Sequence, residues 1–123
     1  MLRTGGGDVS QTRGRFAMTK VVFMLLKRPD WSREEFGAYW RGEHVAIARH
    51  VPGLRRYVQN HFLPESIQGE PPCDGVAELW FDSAKAFQQA LATPEGQATL
   101  ADLPRFCDPA RSMAVLAEEH TVL

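Results

Sequence analysis

The chain is poor in the features that mark the easily assigned protein classes. It has two cysteines, Cys73 and Cys107, among 123 residues. They form no CxxC pair, and no Cys/His cluster has zinc-finger spacing, so neither a disulfide framework nor a structural zinc site organises the fold. Idle thiols in a reducing cytoplasm are the reading this leaves. No apolar run approaches the roughly 20 residues of a membrane-spanning helix. The formal net charge is −1, without a basic stripe, which removes nucleic acid as an expected partner. There is no P-loop and no GxGxxG. There is no HExxH either, because Glu43-His44 is not followed by a histidine at the required place. His44 and His50 do not share a helix face, so no metal is expected, and no cofactor.

What is present is a globular composition, 44% hydrophobic and 24% charged, which rules out disorder as the starting assumption. Residues 2–17 are polar, basic and glycine-rich, and lack the apolar stretch of a signal peptide. A flexible extension is expected over residues 1–17, followed by one domain over 18–123, a usual domain size.

The local signals give six elements, the second helix being made of two pieces. Thr19 to Lys27 is short, β-branched and apolar, and Pro29 closes it, as expected of a buried strand. Ser32-Arg33-Glu34-Glu35 fits a capping box. Phe36, Tyr39 and Trp40 then follow helical spacing, which predicts a helix from about Ser32 to His50, stopped by Pro52-Gly53. Leu54 to Phe62 alternates as a strand, with Arg55, Tyr57, Gln59 and His61 on one face. Gly75 to Asp82 is a third strand. Ser83 caps a helix from about Ala84 to Ala92. Thr93-Pro94 restarts a helix that runs to about Leu103, and Met113 to Thr121 is a last strand. The order β-α-β-β-α-β is the split βαβ, ferredoxin-like arrangement of the α+β class: a four-stranded antiparallel sheet with its helices on one face. The other face, carrying Val115, Tyr57 or Trp80 depending on register, needs cover. A homodimer with its sheets packed face to face is the expected solution.

The stretch Lys27 to His61, KRPDWSREEFGAYWRGEHVAIARHVPGLRRYVQNH, resembles the signature of the EthD family: a lysine-arginine turn, S-x-E-E-F, Y-W-x-x-x-H, then P-G-L-R-R-Y. The resemblance continues at Ala77-Glu78-Leu79-Trp80-Phe81 and Pro94-Glu95-Gly96, and ends at Glu118-Glu119-His120. It implies the dimeric α/β-barrel fold. It also implies chemistry on small cyclic or aromatic molecules, since relatives with assigned activity include methylmuconolactone methylisomerases and polyketide-tailoring dehydratases or cyclases.

His44 follows Trp40 by four residues, so the two share a helix face turned toward the sheet. An imidazole there can move protons near neutral pH. The plainer alternative is a histidine that only bonds a backbone carbonyl. The resemblance adds a catalytic role for the histidine of W-x-x-x-H. Tyr57 is a candidate hydrogen-bond donor to a substrate oxygen, or an ordinary packed aromatic. His61 shares its strand face and is the third catalytic candidate. Trp40, Trp80 and His120 are candidates for lining a substrate pocket. His120, beside Glu118 and Glu119, could equally tie the last strand down. His50, at a helix end, complements the helix dipole and is assigned no chemistry. The cysteine that the methylisomerases use on the third strand is matched here by Leu79, so the resemblance does not carry over that reaction.

Several functions fit these residues. One is a cofactor-free enzyme performing isomerisation, dehydration or cyclisation by acid/base chemistry on a small hydrophobic metabolite. Others are a non-catalytic ligand-binding or accessory dimer for a partner oxygenase, a haem-linked or cofactor-free oxygenase, and a dimerising domain without a ligand.

Overall fold

The computed structural model of the chain describes residues 18–123. The extension expected over residues 1–17 lies outside them. Four strands, β1 (Thr19–Leu25), β2 (Arg56–His61), β3 (Gly75–Phe81) and β4 (Met113–Glu118), form one antiparallel sheet in the order β2-β3-β1-β4. The expected ferredoxin-like arrangement is therefore the observed one.

Register decides which side chains meet the helices. Val21 of β1 pairs with Leu79 of β3 and Leu116 of β4, and Tyr57 of β2 pairs with Leu79. Val21, Leu25, Ala77, Leu79 and Phe81 are buried on this face, and Tyr57 stands beside them. Lys20, Trp80 and Arg56 are cross-strand partners on the opposite face, as are Val22 and Val115. Val115 and Trp80 thus occupy the open face. Tyr57 does not, because its strand neighbour Leu79 points into the core.

Helix α1 (residues 33–48) begins as the capping box requires. Ser32 Oγ accepts from the amide of Glu35 at 3.1 Å, and Glu35 Oε1 accepts from the amide of Ser32 at 2.9 Å. The helix is not the uninterrupted cylinder that the spacing predicts. It is α-helical over Arg33–Tyr39, widens to a π-helical turn over Trp40–His44, and is α-helical again over Val45–Ala48. Gly42, a weak helix former, lies inside the wide turn. Helix α2 (Ala84–Leu91) is capped by Ser83, and helix α3 (Pro94–Asp102) by Thr93, with Pro94 in the first turn. The two pack so closely that a Cβ on Gly96 would lie 2.1 Å from the carbonyl oxygen of Ala90. Only glycine allows that approach.

A short 3-10 turn, Leu103–Arg105, then delivers Phe106 into the core with no exposed surface. Its ring lies 5.7 Å from Phe36, 5.2 Å from Tyr39 and 4.7 Å from His44. Burial of a side chain of this size stabilises the fold by about 1.5–3 kcal/mol. It also makes Phe106 the floor on which the first helix rests. Among the described residues, no helix is long and apolar enough to cross a membrane.

Candidate active site

His44 ends the π-helical turn and is 4% exposed. Its Nδ1 lies 2.8 Å from Oδ2 of Asp102, the last residue of α3. The other oxygen of Asp102, Oδ1, accepts from the hydroxyl of Tyr39 at 2.8 Å. A carboxylate can only accept, so Nδ1 of the neutral imidazole carries the proton and Nε2 carries the lone pair. The partner of His44 is therefore a carboxylate rather than a backbone carbonyl.

Burial holds the His44 pKa below its ordinary 6.5, while the hydrogen bond and charge of Asp102 pull it back up. Burial dominates, so the ring is neutral and basic at Nε2 near pH 7. Tyr39 is pushed up to about 12 by burial and by Asp102, and it keeps its proton. Arg105 Nε stands 4.0 Å from Asp102 Oδ1 at the outer edge of the group.

His44 opens onto an apolar cavity between the sheet and the helices. Trp40, Tyr57, Phe23, Leu79, Phe81, Phe87 and Leu103 are among its walls. About 50 Å³ of it is open to the centre of a water molecule. One water requires roughly 10–15 Å³ by that measure. The space therefore has room for roughly three to five waters. Trp40 is held over the sheet by Gly75, where a Cβ would lie 2.5 Å from the indole Cζ3.

Tyr57 and His44 share this cavity; His61 does not. The His61 ring lies 4.4 Å from that of Trp40 and lines a separate, more open cleft with Arg41, Gly37, Phe62 and Asp74. Burial and the Arg41 charge lower its pKa. Gln59 stands between the two, bonded to the Tyr57 hydroxyl at 2.9 Å and to His61 Nε2 at 2.8 Å.

The remaining pocket candidates lie elsewhere. Trp80 is on the open sheet face, with Lys20 and Arg56 over its ring and its Nε1 donating to Glu119 at 3.1 Å. His120 is exposed near the C-terminus, 2.6 Å from Glu118. Neither reaches the cavity, because the sheet itself separates them from it. Cys107 is buried, and its thiol is pushed up to about 12, which denies it a nucleophile's thiolate. Among the described residues, no cluster of three or more His, Cys, Asp or Glu could hold a metal ion.

Three members of the site were not singled out from sequence: Asp102, Tyr39 and Gln59. Asp102 left one signal, a lone carboxylate inside the apolar run Leu100-Ala101-Asp102-Leu103-Pro104. Tyr39 reads as one more residue of the helix's apolar stripe. Gln59 carries no signal of its own.

A family model described as the EthD domain matches residues 28–110. The chain belongs to the EthD family. This EthD domain is 32% identical over 89 residues to an uncharacterized 11.0 kDa protein of the thcB-thcC intergenic region of Rhodococcus erythropolis, across 72% of this chain and 84% of that one. Among solved structures it is similar to an ethyl tert-butyl ether d (EthD) family protein of Bacillus halodurans, with a TM-score of 0.69, 25% identity, and coverage of 84% of this chain and 99% of that one. It is also similar to SnoaB, a cofactor-independent oxygenase of Streptomyces nogalater, with a TM-score of 0.55, 19% identity, and coverage of 87% and 96%. That last likeness is one of fold. The span matched by the EthD model holds the whole Tyr39–Asp102–His44 group.

Proposed function

We propose that this EthD-family chain is a cofactor-free acid/base catalyst acting on a small cyclic or aromatic metabolite. One observation carries the reading: a neutral histidine, oriented by a buried carboxylate 2.8 Å away, opens onto an apolar cavity. Nε2 of His44 takes a proton from the bound compound and returns it at another atom or to a leaving group. Asp102 holds the imidazole in the required tautomer and stabilises the imidazolium formed in between. Tyr57 donates to an oxygen of the compound as negative charge develops there. The small, apolar cavity supports a small substrate over a polycyclic one.

The same deprotonation begins either an isomerisation or dehydration, or, with dioxygen as co-reactant, an oxygenation. The fold shared with SnoaB supports keeping the latter as the second reading.

We place the chain in the cytoplasm as a homodimer. The free, buried cysteines support the first. The open sheet face supports the second: Met113 and Val115 are 55% and 41% exposed there, beside Val22, Met24 and Val76.

The test is a thermal-shift screen of single-ring lactones, quinones and aromatic ketones, followed by product analysis of each stabilising compound. A ligand that binds only the native state raises the melting temperature by mass action. Conversion by the wild type and none by His44→Ala is the expected result. Equal conversion by both would remove His44 from the chemistry, and binding without conversion by either would leave a carrier.

A further inference from the structure

The side-chain amide of Gln59 is held at three points. Its Nε2 lies 3.0 Å from the backbone carbonyl oxygen of Trp40 and 2.9 Å from the phenolic oxygen of Tyr57, and its Oε1 lies 2.8 Å from Nε2 of His61. A backbone carbonyl has lone pairs and no proton, so the nitrogen end of the amide must face Trp40. This orientation uses both amide hydrogens, one on Trp40 and one on Tyr57. It leaves Oε1 for His61, whose proton is therefore on Nε2. Along this chain Tyr57 receives a hydrogen bond and does not give one. Its own hydroxyl hydrogen is not spent on any acceptor among the described residues, and the residue lines the cavity that His44 also lines.

We infer that Gln59 is a positioning residue, which holds the Tyr57 oxygen as an acceptor on the strand side and so reserves the phenolic proton for an acceptor atom of the molecule bound in the cavity. The inference rests on the cavity being the active site, and it narrows the ligand class. A purely hydrocarbon ring would strand a buried hydroxyl donor, which is unfavourable. A ring bearing a carbonyl oxygen, as in a lactone, cyclic enone or quinone, satisfies it. Burial raises the Tyr57 pKa, and the hydrogen bond from Gln59 pulls it part of the way back, as a donor to the phenolic oxygen does. His61, in the outer cleft, becomes the far anchor of the amide and takes no part in contact with the ligand.

The chain has two tyrosines, so Tyr39→Phe leaves Tyr57 as the sole reporter. The tyrosine Fermi doublet in the Raman spectrum distinguishes a phenol that accepts a hydrogen bond from one that donates. Ligand-free Tyr39→Phe protein should show the accepting pattern. Adding Gln59→Leu should abolish that pattern. Adding Gln59→Glu, whose carboxylate can only accept, should reverse it to the donating one. A donating pattern in the Tyr39→Phe protein, or a pattern indifferent to the Gln59 substitutions, overturns the inference. The Tyr39→Phe spectrum alone tests the sign, even where a Gln59 variant fails to fold. No ligand and no turnover enter this measurement. An accepting pattern in a protein that converts nothing would separate loss of the catalytic reading from loss of this one.

Discussion

Nδ1 of His44 and Oδ2 of Asp102 stand 2.8 Å apart although 58 residues separate them in the chain. The pair joins the end of the π-helical turn to the end of α3, with the His44 ring against that of Phe106. It is the point at which the fold acquires a directed base.

Asp102→Asn is the sharpest probe of that base. An asparagine amide can turn its NH2 toward Nδ1, which reverses the tautomer and puts the proton on Nε2. Turnover of a substrate found by the screen should fall by roughly 10²–10⁴-fold, the range that general-base catalysis contributes. His44→Ala should fall at least as far. A loss of under threefold in Asp102→Asn, measured as kcat/KM, would show that tautomer control is irrelevant.

Stability should decline on the acid side because of His44. The folded pKa is lowered from 6.5, so below that value the unfolded chain binds more protons than the native one. The contribution is complete above pH 6.5 and is lost as pH falls from there through the folded pKa. Urea denaturation at stepped pH between about 5 and 7.5 should show a steeper loss for the wild type than for His44→Gln. Parallel curves would place the acid sensitivity elsewhere. Catalysis should lose its base over the lower part of the same window.

Gly75→Ala should disturb the cavity from beneath. The new methyl would meet the Trp40 indole at 2.5 Å, and overpacking of this kind costs about 1–3 kcal/mol. A melting temperature lower by about 4–8 °C for each kcal/mol is expected for a domain of this size. An unchanged melting temperature would mean that the indole is free to move aside.

Val115→Asp should separate the proposed dimer. It places a charge in the apolar part of the open face, opposite Val22. Light scattering coupled to gel filtration should give a dimer mass for the wild type and a monomer mass for the variant. Wild-type protein of monomer mass would remove the proposal.

Much of the fold could be read ahead of the structure because its signals are local. Ser32 with Glu35, Thr93 with Pro94, and the alternation around Tyr57 each concern residues a few positions apart. The alternation correctly joined Tyr57 and His61 on one strand face. It did not show that they open onto different spaces, since four residues of strand span about 13 Å and the Trp40 indole fills the interval. Trp80 was placed by long-range register alone: its pairing with Lys20 and Arg56 turns it away from the helices. Asp102 became a partner only through tertiary contact, which no spacing rule reaches.

The widened turn at Trp40–His44 has a consequence for how this architecture can change. A π-helical turn is an α-helix carrying one surplus residue, absorbed without disturbing the flanking turns. Loss of a single codon there, Gly42 for instance, would return the helix to regular winding with its capping box intact. Trp40 and His44 would then sit three positions apart and no longer present the same pair of side chains to the cavity. A one-residue indel there can change which side chains face the cavity while the fold keeps its shape, so relatives of nearly identical shape need not present the same cavity lining.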